Sequence, residues 1–300
     1  MRFTFLALAL PLALGCSASS GNNNGFGGGG SSGSTTGSGG TSASSTTGAG
    51  GDDGGITIDT DGGPGDGGNP NEVAEVFAHS PDTLYRLDPD AKTVTTIGPF
   101  QNCGFFSSVI DIAIDKDGAM FAATSSGLYK VDKTTAACTL IADGSYPNSL
   151  SFVPKGTVDP NAEALVGYLG STYVRIDTTT GQVTTIGAIT GGYSSSGDIV
   201  SVIGGGTYLT VKGNNCADCI IEVDPKTGDL KKMIGPLAHT NVFGLAFWGG
   251  FAYGFDDAGE LFQIDLATGT STIIPVPNAP PTLVFWGAGS TTSAPLKPPT

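Results

Sequence analysis

The feature that most constrains this chain is a phrase that occurs five times between residues 84 and 274. Each copy has a strand-like run, an aspartate, a turn and a second strand-like run, as in YVRIDTTTGQVTTIG over residues 173–187. The shared aspartates recur every 41 to 47 residues, at Asp88, Asp132, Asp177, Asp224 and Asp265. A period of this length is typical of a unit of four short β-strands. The repeat therefore predicts five similar sheets.

Polar and aliphatic residues alternate just before each aspartate, as in a strand with one buried face. In the third copy the order is Arg175, Ile176 and Asp177. An aspartate that opens a turn accepts hydrogen bonds from backbone N–H groups two residues further on. In the last three copies a glycine follows four residues later and can adopt the positive φ that closes a hairpin. We therefore interpret the five aspartates as turn residues and not as catalytic groups.

Two more strand-like runs precede every phrase except the first, before which only residues 72–78 are available. The missing strand is found at the other end, where TLVFWGAG (residues 282–289) resembles GLAFWGG (residues 244–250). We predict an all-β fold, a five-bladed β-propeller over residues 72–293 whose C-terminal strand completes the first blade. Ring closure of this kind removes exposed sheet edges. Residues 294–300 are expected to form a flexible tail.

The segment DIAIDKDGAMFAATSSGLYKVD, residues 111–132, resembles the NHL and YVTN-type repeats of the β-propeller superfamily. The resemblance extends over the whole repeat domain. It implies the fold alone, because many unrelated functions use this architecture.

The first 15 residues have the pattern of a signal peptide, with Arg2, a short apolar run and a small residue before Cys16. The apolar run is shorter than the roughly 20 residues that a membrane-spanning helix needs. The ending LALGC resembles the lipobox of bacterial lipoproteins, with Ala13 three residues before the cysteine. The resemblance implies acylation (palmitate) at Cys16 and, from Ser17, an outer-membrane lipoprotein facing the periplasm or the cell surface. The alternative is an ordinary secretory signal without a lipid.

Residues 16–71 form a segment of different composition, in which glycine, serine, threonine, asparagine and aspartate dominate. Such a chain buries too little apolar surface to offset the entropy of ordering it. We predict a disordered linker with a root-mean-square reach of roughly 40 Å. Its Asp/Gly-rich part, residues 59–68, lacks the spacing of a calcium-binding EF-hand loop.

Apart from Cys16 the chain has four cysteines, and in an exported protein these are expected to form disulfides. Cys216 and Cys219 form a CxxC motif between two predicted strands. A redox-active CxxC normally opens a helix, and a zinc site would need a second pair of ligands. We therefore interpret the motif as a local disulfide. Cys103 and Cys138 would then pair, provided that their Cα atoms lie within about 7 Å.

The starts of the predicted innermost strands supply the candidate site residues. Alignment of these strands places equivalent residues at Asp111, Ser149, Asp198, Gly244 and Thr282. An aliphatic residue follows each of them and is expected to be buried between blades, so we expect this column to face the mouth of the central channel. We expect Asp111 and Asp198 there to cap backbone N–H groups. Alternatively they hold calcium, the one cofactor we consider; no metal site is predicted.

Five aromatic residues fall in loops expected on the same face: Phe105, Phe106, Tyr146, Tyr193 and Phe243. Loops carry many of the binding residues of proteins, so these five are candidates for a recognition surface. With 27 acidic against 13 basic residues, the chain lacks the basic surface of a nucleic-acid binder.

We predict a monomeric, lipid-anchored binding or scaffold module for a protein, a glycan or another cell-envelope component. The alternative is a hydrolase or lyase at the channel mouth, lactonase-like or glycosidase-like, that uses Asp111 and Asp198. Residues 72–293 contain no GxSxG motif or P-loop, and the two histidines of the chain give little support for a Ser-His-Asp set.

Overall fold

The computed structural model describes residues 73–104, 108–277, 279 and 282–298. The predicted signal peptide, the lipidation site Cys16 and the linker lie outside the described residues. In the described part all regular elements are β-strands, and they form five four-stranded antiparallel sheets. These sheets are the blades of a five-bladed β-propeller, as predicted. No helix among the described residues is long and apolar enough to cross a membrane.

Twenty strands make up the five blades. The first blade contains β1 (Val76–His79), β2 (Thr83–Asp88) and β3 (Thr93–Pro99), and the second contains β4 (Val109–Ile114), β5 (Met120–Thr124), β6 (Gly127–Asp132) and β7 (Ala137–Asp143). The third contains β8 (Leu150–Val153), β9 (Ala164–Leu169), β10 (Thr172–Ile176) and β11 (Val183–Ala188). The fourth contains β12 (Ser194–Ser201), β13 (Thr207–Gly213), β14 (Cys216–Val223) and β15 (Leu230–Pro236). The fifth contains β16 (Val242–Trp248), β17 (Phe251–Asp256), β18 (Leu261–Ile264) and β19 (Ser271–Ile274), and β20 (Gly287–Ser290) follows.

The two ends of the propeller meet in the first blade, whose strand order is β20-β1-β2-β3. Strand β20 runs antiparallel to β1, with Val76 opposite Ser290 and His79 opposite Gly287. The predicted closure by the C-terminal strand is therefore confirmed. Without β20, the inner edge of β1 would expose unpaired backbone groups.

Apolar side chains fill the spaces between the blades. The buried residues form five clusters, and each cluster joins two neighbouring blades. At the join between the fifth and first blades, for example, Phe255 and Phe285 pack edge-to-face with ring centroids 5.2 Å apart. The core of the molecule is therefore distributed around the ring.

The repeated aspartates cap the turn between the third and fourth strands of each blade, as predicted. The side chain of Asp177 accepts hydrogen bonds from the N–H groups of Thr179 (2.9 Å) and Thr180 (2.8 Å). These bonds favour the charged carboxylate and lower the pKa of Asp177. Gly181 follows with a φ of 70°. The turn also touches the preceding blade, because the hydroxyl of Tyr146 donates to the carbonyl of Gly181 at 3.0 Å.

The predicted start of the flexible tail, residue 294, lies too early in the chain. Ala294 is buried, and the carbonyl of Pro295 accepts a hydrogen bond from Gly249 at 2.7 Å. These contacts attach the chain after β20 to the turn between β16 and β17. The packed domain therefore extends at least to Pro295.

Candidate functional site

Two sets of loops meet at one end of the ring, which we call the upper face. One set leads into the innermost strands β4, β8, β12, β16 and β20, and the other joins the second and third strands of each blade. All five innermost strands start at this face, so their first residues surround the central axis. The turns at the opposite end, including those of the repeated aspartates, form the lower face.

A cavity of about 260 Å³ lies on the upper face and is lined by Ile110, Asn148, Phe243 and Trp286. We call these four residues the channel-mouth cup. Each of them belongs to a different innermost strand or to the loop that leads into it. Four of the five blades therefore supply one residue each to the cup, and these residues lie far apart in the sequence.

Two innermost strands, β4 and β16, pair irregularly with their neighbours at the positions of the cup residues. The register between β4 and β5 shifts between Val109 and Asp111, and the register between β16 and β17 shifts between Val242 and Gly244. Ile110 and Phe243 are thus the extra residues at two β-bulges. Bulges redirect side chains and are common beside binding sites.

The predicted channel-facing column lies one residue further along, and its carboxylates are fully buried. The side chain of Asp111 accepts hydrogen bonds from its neighbour Ile112 (2.8 Å) and from Leu150 in the next blade (2.6 Å). The carboxylate thus ties the innermost strand of the second blade to that of the third. Of the roles predicted for Asp111, this geometry is that of a cap.

Asp198 makes the same kind of connection two blades further on. Its carboxylate accepts hydrogen bonds from Ile199 (2.6 Å) in its own strand and from Leu245 (2.7 Å) in the fifth blade. The N–H of Ala288, in β20, is a third donor to this carboxylate. Asp198 therefore links three blades at the centre of the ring.

The two carboxyl groups interact with each other. Burial raises the pKa of both well above the usual range, and the charge of Asp198 raises that of Asp111 further. The hydrogen bonds from backbone N–H groups act in the opposite direction but do not cancel the effect of burial. The pair therefore titrates as a unit and binds protons more tightly than exposed carboxyl groups do.

The other members of the predicted column differ from expectation at one position. Ser149 is buried, and its hydroxyl accepts a hydrogen bond from the N–H of Tyr168 at 3.0 Å. Thr282, by contrast, is exposed and precedes β20 by five residues, so its assignment to the channel mouth is wrong. Gly287 holds the position equivalent to Asp111.

The cause of this error is the repeated tripeptide FWG. In β16 the tripeptide begins at Phe247, near the end of the strand, whereas the second copy begins at Phe285, just before β20. The two copies therefore lie at opposite ends of innermost strands. Sequence similarity alone could not reveal that difference.

His79 is a buried group that no sequence pattern marked as a site residue. Its Nδ1 lies 2.9 Å from the carbonyl oxygen of Ser80, and its Nε2 has no hydrogen-bond partner among the described residues. Burial lowers the pKa of His79 to about 4. A side chain at Gly287 would collide with both His79 Nε2 and Asp111 Oδ1. The glycine thus allows the imidazole to approach the carboxyl pair.

The predicted loop aromatics have different positions. Phe243 lines the cup, whereas Tyr146 is buried and donates its hydroxyl proton to the next blade. The assignment of Tyr146 to a recognition surface is therefore wrong, because its ring and hydroxyl are used in packing. The hydroxyl of Tyr193 accepts a hydrogen bond from Asn214 at 3.2 Å. Phe105 and Phe106 lie outside the described residues.

Both predicted disulfides are present. Cys103 and Cys138 are bonded with Cα atoms 5.1 Å apart, and Cys216 and Cys219 with Cα atoms 6.0 Å apart. The first joins the loop before the second blade to the outermost strand of that blade. The second fixes the start of β14.

A second cluster on the upper face could hold a divalent cation. His239 Nδ1 lies 3.0 Å from Glu260 Oε2 and 3.4 Å from Asp256 Oδ2, and the imidazole stacks on Phe262. Burial and the charge of Glu260 raise the pKa of Asp256. In the described part of the chain this is the one group of three metal-ligand side chains within 4.8 Å of one another. The sequence predicted no metal site, and the three residues of this candidate come from two different loops and match no sequence motif.

Fold and site together define a five-bladed β-propeller with an apolar cup over a buried carboxyl pair. Residues 165–294 match a family described as a repeat of unknown function (DUF6923). No curated protein matches the sequence. The matched segment covers the third blade without β8, the fourth and fifth blades, and β20.

Several solved structures are similar to the chain in fold. One is from the nidogen/laminin complex, with 12% identity, a TM-score of 0.48, and coverage of 75% of this chain and 99% of that one. Another is TolB from Acinetobacter baumannii, with 16% identity, a TM-score of 0.43, and coverage of 73% and 54%. A third is an oligogalacturonate lyase in complex with manganese, with 13% identity, a TM-score of 0.36, and coverage of 69% and 62%. Similarities of this size carry no information about function.

Proposed function

We propose that this protein is an exported, membrane-tethered binding module that takes an apolar side chain of a polypeptide partner into the channel-mouth cup. The observation that carries the proposal is the composition of the cup wall. Two aromatic residues and one aliphatic residue surround the cavity, and Asn148 adds one amide. A pocket of about 260 Å³ has room for one large side chain. Burial of such a side chain against a mainly apolar wall is worth about 1.5–3 kcal/mol.

The state of the carboxyl pair favours binding over catalysis. A glycosidase needs two carboxyl groups that flank the bond to be cleaved. Asp111 and Asp198 have no exposed surface, and both oxygens of each carboxyl group accept backbone hydrogen bonds. Both groups are occupied in holding the innermost strands together, which disfavours the hydrolase or lyase alternative.

Export and tethering are supported by the N-terminal pattern and by the cysteines. A signal-like start, a lipobox-like Cys16 and a glycine-rich segment precede the propeller. The two disulfides of the propeller suit an oxidising compartment. Detection of an acylated Cys16 by mass spectrometry would test the anchor, and an unmodified or uncleaved N-terminus would contradict it.

Selection of a random peptide library against the propeller tests the binding role. Enriched peptides should carry an aromatic or large aliphatic residue and should bind wild type at least about tenfold better than Trp286→Ala, since buried aromatic anchors dominate such interfaces. The matched control is Ile273→Ala, which removes an exposed apolar side chain from β19. Equal binding of the peptides to wild type and to Trp286→Ala would refute the proposal. Binding of a glycan in the cup, with no peptide enriched, would also refute it.

A further inference from the structure

The two faces of the propeller differ in charge. Twelve lysine and arginine residues lie in the described part of the chain, and all except Lys212 belong to the lower face or to the strand halves next to it. Eight acidic residues lie on the upper face or in the adjoining strand halves: Asp82, Asp111, Asp143, Asp198, Asp218, Asp256, Asp257 and Glu260. Asp111 and Asp198 are fully buried, so the other six supply the negative charge of the upper face, where Lys212 is the one lysine or arginine among the described residues. On the lower face the other acidic residues are nearly balanced by lysine and arginine, so the upper face carries the larger excess of negative charge.

Ion pairing strengthens this asymmetry. Each of the five pairs between a lysine or arginine and a carboxylate uses a lower-face acid, namely Glu75, Asp117, Asp159 or Glu222. On the upper face the ion-pair partner of Asp256 and Glu260 is His239. Negative charge around the cup thus has little compensation from lysine or arginine within the described residues.

Hydrogen bonds connect segments that carry acidic residues to segments that build the cup. The N–H of Val109, which precedes Ile110, donates to the carbonyl of Pro81 at 3.0 Å, next to the exposed Asp82. On another side, the amide of Asn241 donates to the carboxylate of Asp257 at 3.0 Å.

These contacts connect the acids to the cup walls. Asn241 stands two residues before Phe243, and the N–H of Phe285, which precedes Trp286, donates to the carbonyl of Asp256 at 3.1 Å. Segments that carry acidic residues are therefore hydrogen-bonded within two residues of three of the four cup residues, Ile110, Phe243 and Trp286.

We propose that the occupant of the cup is a cationic polypeptide segment, in which an apolar side chain is flanked by lysine or arginine residues. This inference rests on the proposed binding function and names the chemistry of the partner. The apolar side chain would fill the cup, and the flanking cations would approach Asp82 and Asp257. Complementary charge of this kind raises the association rate and selects against anionic partners. It also makes binding sensitive to salt, because exposed charges are screened over about 10 Å at 0.1 M.

Five synthetic peptides of equal length test the inference by isothermal titration with the intact propeller. Their sequences are KKFKK, SSFSS, EEFEE, KKAKK and SSASS, each acetylated and amidated. We expect KKFKK to bind about tenfold or more tighter than EEFEE at low salt, and the ratio to shrink towards one at about 0.5 M salt. KKAKK should bind much more weakly than KKFKK, because it lacks the apolar anchor.

A pair of double variants locates the charge effect. Asp82→Asn/Asp257→Asn should weaken KKFKK binding about threefold to tenfold, as expected for two exposed charge contacts, and should leave SSFSS binding unchanged. Asp117→Asn/Asp177→Asn removes the same charge from exposed lower-face positions and should leave both affinities unchanged.

The outcomes separate the two proposals. If all three phenylalanine peptides bind equally well and Trp286→Ala abolishes their binding, the cup binds apolar side chains but the inference of a cationic partner is overturned. If SSFSS binds no better than SSASS, or Trp286→Ala binds as wild type does, the proposed function fails. If KKAKK binds as tightly as KKFKK, the acidic face acts without the cup and the joint proposal is overturned.

Discussion

Replacement of Asp198 tests whether a buried carboxylate holds the blades together at the centre of the ring. In Asp198→Ala the N–H groups of Ile199 and Leu245 lose acceptors at 2.6 and 2.7 Å in a site without solvent access. Each orphaned N–H costs about 1–3 kcal/mol, so the variant should lose about 2–6 kcal/mol of unfolding free energy. Asp198→Asn keeps one acceptor oxygen and turns a donor towards the other N–H, so about 1–3 kcal/mol should be lost.

One effect opposes this loss. Burial raises the pKa of both carboxyl groups, which means that charge at this site is unfavourable, and either substitution removes one charge. We expect the orphaned donors to dominate, because the carboxylate also accepts from Ala288. Against a total stability of about 5–15 kcal/mol for a typical domain, the alanine variant should be strongly destabilised.

Urea denaturation at pH 7, extrapolated linearly to water, measures these differences. The matched control is Asp177→Ala, which also removes two hydrogen bonds to backbone N–H groups, but from an exposed turn. Water can replace those bonds, so the loss there should be below about 1.5 kcal/mol. The reasoning is refuted if Asp198→Ala is as stable as wild type, or more stable, because the carboxylate would then not act as a structural cap.

Three further changes test other parts of the central region. The pKa of His79 is lowered to about 4. Between about pH 6.5 and 4 the unfolded state therefore binds a proton that the folded state does not bind. The stability of wild type relative to His79→Gln should fall by about 3 kcal/mol as the pH is lowered across this window. A pH-independent difference in urea midpoints between the two proteins would contradict that prediction. Gly287→Ala should lower the melting temperature, because the new methyl group meets His79 and Asp111; an unchanged melting temperature would show that these groups move aside freely. Replacement of Cys103 and Cys138 by serine should lower the unfolding free energy by about 4 kcal/mol, and replacement of Cys216 and Cys219 should lower it by about 2 kcal/mol. The reason is that the first disulfide closes a loop of 35 residues and the second a loop of 3. A larger loss for the second pair in calorimetry would contradict this loop-entropy account.

Much of the architecture was determined by the sequence itself. The repeated turn aspartates, the alternation before them and the missing first strand predicted five blades closed by the C-terminus, and both disulfides were predicted. These features are local, since strand alternation and aspartate-capped turns depend on residues within a few positions of one another. The closure followed from a count of strands and did not require knowledge of any contact.

The site was decided by the tertiary structure. Alternation along the chain predicted that Asp111 and its equivalents face the channel mouth, but the cup is lined by the residues one position earlier, such as Ile110 and Phe243. The physical reason is that a shift of one residue turns a strand side chain to the opposite face, and the β-bulges at Ile110 and Phe243 make such shifts. Likewise His79 and the carboxyl pair come together only because ring closure brings the ends of the first blade beside the second, which no local pattern encodes.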